Sequence, residues 1–94
     1  MDVRYSKQFM KQLRKADSKI QSAFIKRRRL LEDNPYDPRL NNHKLKGQYK
    51  GLRSINITGD WRAVFSEHDQ KHGHGGRGHS ITFQYIGTHS QLYQ

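Results

Sequence analysis

Apolar residues recur at helical spacing over the first third of the chain and alternate with polar ones over much of the second half. Phe9, Leu13 and Ala16 fall four and three residues apart, and after Asp17-Ser18 the series resumes with Ile20, Ala23, Phe24 and Leu31. Such spacings bring side chains onto one face of a helix. The pattern predicts helices over Ser6 to Lys15 and Asp17 to Glu32, with Ser6 capping the first and Asp17 or Ser18 the second. A short extended stretch, Val3 to Tyr5, precedes them, and Asn34-Pro35-Tyr36-Asp37-Pro38 ends the second helix. Each proline there disfavours the helical region for its predecessor.

An irregular linker is expected up to about Lys46-Gly47. From Gly51 the period becomes two, with Arg53, Ile55 and Ile57 on one face and Leu52, Ser54 and Asn56 on the other. Thr58-Gly59-Asp60 reads as a turn, Trp61 to Glu67 as the returning strand of a hairpin, and Ser80 to Ile86 as the last long strand. The polar segment between them, His68 to His79, is expected to be a loop. Its core, Lys71-His72-Gly73-His74-Gly75-Gly76-Arg77-Gly78-His79, has no apolar anchor and predicts mobility. The order is therefore β-α-α-β-β-β with an antiparallel meander, and the class is α+β.

Composition narrows the picture. A chain of 94 residues predicts one domain, residues 1–94, and 32% hydrophobic residues predict a thin core, one sheet face covered by one layer of helices. Eighteen Lys and Arg against eight Asp and Glu give a net charge of +10, so the expected partners are polyanionic. Nucleic acid or a ribonucleoprotein, an anionic membrane surface, and an acidic protein all satisfy that description. Lys26-Arg27-Arg28-Arg29 carries part of the charge, but successive helical residues point ~100° apart, so the run cannot follow one phosphate track and reads first as a solvated face.

With no cysteine, neither a disulfide framework nor a thiolate zinc site can form. No apolar run approaches the ~20 residues of a membrane span, and the first residues do not read as a signal peptide, so a cytoplasmic protein is expected. His68, His72, His74 and His79 contain a His-Gly-His pattern, yet no cysteine or paired carboxylate completes a tetrahedral set. Neither a metal nor another cofactor is expected.

Three blocks carry a family resemblance: His43-Lys44-Leu45-Lys46-Gly47, Gly51 to Arg62 with Thr58-Gly59-Asp60-Trp61-Arg62 at its end, and Ile86-Gly87-Thr88-His89-Ser90-Gln91-Leu92-Tyr93. In order and spacing they resemble the YafQ-like branch of the RelE/ParE superfamily of type II toxins. The resemblance implies a RelE-like fold and a metal-independent endoribonuclease that enters the ribosomal A site, cuts translated mRNA, and is neutralised by a cognate antitoxin. It also implies that His43, Asp60 and His89 occupy catalytic positions. Asn56 stands where the YafQ type has an active-site histidine, and Tyr85 stands where an arginine often precedes Gly-Thr-His. Neither side chain is a base at neutral pH, so proton transfer falls to the two histidines.

The residue chemistry is consistent with that implication. Metal-free RNA cleavage needs a base for the 2′-OH proton, an acid for the leaving 5′-oxygen, and cations for the phosphate. Imidazole, with an unperturbed pKa of about 6.5, suits the first two tasks, and the guanidinium fork suits the third. Asp60 can orient an imidazole or simply serve the turn. Arg62 opens its strand beside Asp60 and is the better phosphate ligand; Arg53 shares a face with the isoleucines and can instead pair with a carboxylate. Trp61 reads as core, with base stacking as the alternative. Tyr85, Tyr93, Lys44 and Lys46 complete the expected substrate-binding set. Two alternatives stay open: a gyrase inhibitor of the ParE type, which needs no histidines, and a catalytically weak regulatory homologue.

Overall fold

The computed structural model describes residues 1–71 and 77–93. Its elements are β1 (Asp2–Tyr5), α1 (Lys7–Lys15), α2 (Ser18–Asp33), β2 (His43–Lys44), β3 (Arg53–Asn56), β4 (Trp61–Lys71), β5 (Arg77–Thr88) and one helical turn, α3 (His89–Leu92). The Ser6 hydroxyl accepts from the Phe9 amide and the Asp17 carboxylate from the Ile20 amide, both at 3.0 Å. Each supplies an acceptor for a helix-end donor that lacks an intrahelical partner. Gln21 then fixes the joint between the helices, donating to the carbonyls of Leu13 (3.0 Å) and Ala16 (3.2 Å) at the end of α1.

The class is α+β, as the periodicity predicts, with two helices on a five-stranded sheet of order β1-β5-β4-β3-β2. β3, β4 and β5 form the expected antiparallel meander, while β1 lies parallel to β5 with Tyr5 opposite Phe83. Register assigns the faces, because directly paired residues point the same way. Ile55, Ala63 and Ile86 face the helices, as do Phe65 and Phe83. Phe9 and Phe24 meet Phe83 with ring centroids 5.3 and 5.0 Å away. Between Val64 and Phe65 the register shifts, and a β-bulge places Gln84 between Phe83 and Tyr85 without a residue opposite it in the β4 ladder.

Two expectations are corrected. The linker before Gly47 contains β2, whose His43 and Lys44 pair with Ser54 and Arg53 at the sheet edge. Short 3-10 turns, Pro38–Leu40 and Gly47–Tyr49, flank it. A two-residue strand has no periodicity to read. The expected loop over His68 to His79 is in part a ladder: β4 continues to Lys71 and β5 begins at Arg77, pairing His68 with Ser80, Asp69 with His79 and Lys71 with Arg77. Backbone pairing needs no apolar side chains, so these positions carry no hydrophobic signal. The mobility expected for residues 71–79, so far as it concerns 72–76, lies outside the described residues.

Candidate active site

The face of the sheet turned away from α1 and α2 carries the rows His43–Ser54–Val64–Tyr85 and Asn56–Arg62–Gly87. α3 folds onto the Gly87 end of this face. A β-carbon at Gly87 would stand 3.1 Å from Gln91 Oε1 and 3.4 Å from Leu92 Cγ, so a side chain there would push the glutamine off its present seat by a few tenths of an ångström. Thr88 caps α3: its hydroxyl accepts from the Gln91 amide (3.2 Å), and Gln91 Oε1 accepts from the Thr88 amide (2.8 Å). This reciprocal pair is a capping box. It sets His89 at the first position of the turn and sends Tyr93 back across the sheet, where its hydroxyl lies 3.3 Å from Ser54 Oγ.

His43 and His89 are both exposed and belong to one surface. Ser54 pairs with His43 in the ladder and meets Tyr93, whose ring is 4.8 Å from that of His89. The two histidines do not touch each other; Ser54 and Tyr93 lie between them. His43 Nδ1 is 2.8 Å from the Asn41 carbonyl, which can only accept, so Nδ1 carries the proton and Nε2 holds the lone pair. That carbonyl is aimed by Asn41, a left-handed residue with φ 47°.

Asp60 sits in the β3–β4 turn. Its carbonyl accepts from the His89 amide at 2.9 Å, while its exposed carboxylate has no hydrogen bond or ion pair among the described residues. Arg62 wraps the same turn through Nη1, donating to the carbonyls of Thr58 (3.0 Å), Gly59 (3.2 Å) and Trp61 (3.0 Å). Its Nε and Nη2 have no hydrogen-bond partner among the described residues. Asn56 Oδ1, beside Arg62 in the same row, is buried without a partner. An unpaired acceptor of this kind costs about 1–3 kcal/mol.

The remaining predicted side chains divide between the two faces of the sheet. Arg53 points to the helix side, donating to Asn42 Oδ1 at 2.7 Å and pairing with Glu67 at 3.4 Å. Lys44 pairs with it in the ladder and shares that side. With Lys46, Lys50, Leu45 and Leu52 they line a groove of about 550 Å³. Trp61 is half-buried and packs against the helix-side core. Tyr85 and Tyr93 do reach the open face, and both meet Tyr49, which the sequence reading passes over. Partial burial, then Tyr85 and Tyr93, push the Tyr49 phenol up, so it stays protonated and can donate but not act as base.

Among the described residues no group of three or more His, Cys, Asp or Glu is gathered to hold a metal, and His72 and His74 lie outside them. No described helix is long and apolar enough to cross a membrane.

Comparison with known proteins gives the site its context. Curated proteins offer no match. Among solved structures, the fold is similar to YafQ from E. coli strain BL21(DE3), with 24% identity, TM-score 0.77, and coverage of 99% of this chain and 98% of that one. It is also similar to a YoeB/ParE toxin from Agrobacterium tumefaciens, at 17% identity and TM-score 0.72 over 95% and 99% of the chains. YafQ in the E. coli DinJ-YafQ complex matches at 22% identity and TM-score 0.67, over 99% and 98%. These likenesses establish the RelE-like fold. The model of the family described as "Bacterial toxin of type II toxin-antitoxin system, YafQ" matches residues 1–94, and the chain belongs to that toxin family.

Proposed function

We propose that this toxin is a ribosome-dependent endoribonuclease that cleaves translated mRNA by acid–base catalysis. The observation that carries the reading is the pair of exposed histidines on one side of the sheet, His43 with Nδ1 tied to a carbonyl, and His89 held by the capped turn. His43 Nε2 takes the 2′-OH proton as that oxygen attacks the adjacent phosphorus. The P–O5′ bond then breaks, and His89, as imidazolium, protonates the departing 5′-oxygen. The products are a 2′,3′-cyclic phosphate and a 5′-hydroxyl.

Arg62 offers Nε and Nη2 to the phosphate as negative charge gathers there. The Asp60 carboxylate, exposed on the turn whose carbonyl holds the His89 amide, can orient an imidazole. Lys44 and Lys46 line the groove that takes flanking phosphates, beside Arg53 in its pair with Glu67, and Tyr85 and Tyr93 line the open face. The family resemblance supports the ribosomal A site as the place of action. A net charge of +10 suits both ribosomal RNA and an acidic antitoxin, and E. coli YafQ is seen in complex with DinJ.

Primer extension on a translated mRNA after induction tests the reading. Discrete cuts that vanish when translation is blocked are expected, with growth arrest reversed by an acidic cognate antitoxin. Intact mRNA together with loss of DNA supercoiling would replace the nuclease with a gyrase inhibitor.

A further inference from the structure

Tyr49 meets Tyr85 and Tyr93 on the open face, and no part of the mechanism above uses it. It rides on the short 3-10 turn Gly47–Tyr49, between Gly47 (φ 67°) and Gly51 (φ 93°). Left-handed backbone on both sides folds this loop back over the sheet, a conformation that glycine adopts without the Cβ clash. The ring is thereby brought to the open face, 5.6 Å from Tyr85 and 5.8 Å from Tyr93. All three tyrosines are only half-buried, so the cluster is not sealed as a core. Tyr93 in turn lies against His89 and reaches Ser54 beside His43. Tyr49 is therefore one ring from His89, and Tyr93 and Ser54 link it to the strand position of His43.

Two further features give the loop a nucleic-acid character. Lys46 and Lys50 flank it in sequence, both exposed, and line the adjoining groove with Lys44 and Arg53, so cations neighbour the loop that carries the ring. Phosphates alternate with bases along a single strand, and basic side chains interleaved with a stacking ring match that alternation. Tyr49 is set at the T-shaped angle of 90° to Tyr93, which stiffens the ring without covering it by a parallel stack.

We infer that Tyr49 is a nucleobase-stacking residue: it holds a base of the bound mRNA strand on the open face, beside the phosphate that His43 and His89 address. The inference rests on the nuclease reading proposed above. Stacking acts on binding rather than proton transfer, so the effect belongs in KM and not in kcat.

The test is cleavage on programmed ribosomes by the full chain and by Tyr49→Phe, Tyr49→Leu and Tyr49→Ala, each with a thermal melt. Two mRNAs are used, one with every base present and one with an abasic ribose beside the cut. Loss of one stacked base corresponds to a ~5- to ~150-fold rise in KM. Tyr49→Phe should behave as wild type, whereas Tyr49→Leu, which keeps apolar packing, should show the rise at unchanged melting temperature. The abasic mRNA should weaken wild type and leave Tyr49→Leu indifferent. If the wild-type chain leaves mRNA uncut, the nuclease reading fails and the inference falls with it. If wild type cuts, the inference alone is overturned by wild-type KM in Tyr49→Leu, by failure of Tyr49→Phe to rescue, or by an abasic effect of equal size in wild type and Tyr49→Leu.

Discussion

The backbone amide of His89 donates to the backbone carbonyl of Asp60 across 2.9 Å, joining the start of the C-terminal turn to the β3–β4 turn. Two residues 29 positions apart in sequence are thus held together by main-chain atoms alone. Their side chains are left out of that bond and out of any core, so both can be changed without disturbing the joint.

His89→Ala should therefore remove cleavage and spare the fold. Loss of a general acid or base typically costs ~10²- to 10⁴-fold, and loss of an exposed side chain within ~0.5 kcal/mol of stability. Single-turnover cleavage paired with thermal melts separates the roles: an active variant refutes the proposed site, and an unfolded one makes His89 structural. Asp60→Asn keeps the turn and removes only the charge, so it should slow cleavage while leaving the melt unchanged.

Gly87→Ala tests the seat of α3. Its β-carbon would meet Gln91 Oε1 at 3.1 Å, and that oxygen also closes the capping box on Thr88. The flexible glutamine can yield, so the stability change should be about 1 kcal/mol, the ordinary worth of a helix cap. Cleavage should fall further than that, because His89 is the first residue of the turn. Equal rates in both proteins would show that the cap does not position His89.

Asp37 gives an acid-limb prediction. Hydrogen bonds from the Arg39 side chain, then from its amide, hold the carboxyl down to about 2, against an ordinary value of 3.8. The folded value lies below the unfolded one, so the bond contributes fully above about pH 4 and is lost as pH falls towards 2. Denaturation midpoints measured between pH 5 and pH 2 should decline less steeply in Asp37→Asn than in wild type. An identical slope would show that the exposed pair is screened to nothing.

Phe24→Ala probes the thin core. The ring is 2% exposed and meets Phe9, Phe83 and Tyr5. Such truncations cost about 3–5 kcal/mol, a large share of what a domain of this size has to lose. Chemical denaturation should show the loss, and antitoxin or another ligand of the native state should restore part of it by mass action.

Local rules determined the helices, their caps, the meander and the helix-facing row of Ile55 and Ile57, because spacing along the chain alone fixes which side chains share a face. The family blocks also pointed to His43, Asp60 and His89. Tertiary structure decided the rest. β2 exists because Ser54 and Arg53 offer their backbone groups to His43 and Lys44, and the polar ladder beyond Glu67 exists because backbone pairing is indifferent to side-chain polarity. Alternation had already set Arg53 beside the isoleucines, but Lys44 left the histidine face only through its register with Arg53, and Tyr49 joined that face through two left-handed glycines. Periodicity describes one element at a time, whereas pairing partners and chain reversals depend on where distant segments meet. The contact between Tyr93 and Ser54, 39 residues apart, had no trace in the sequence for that reason.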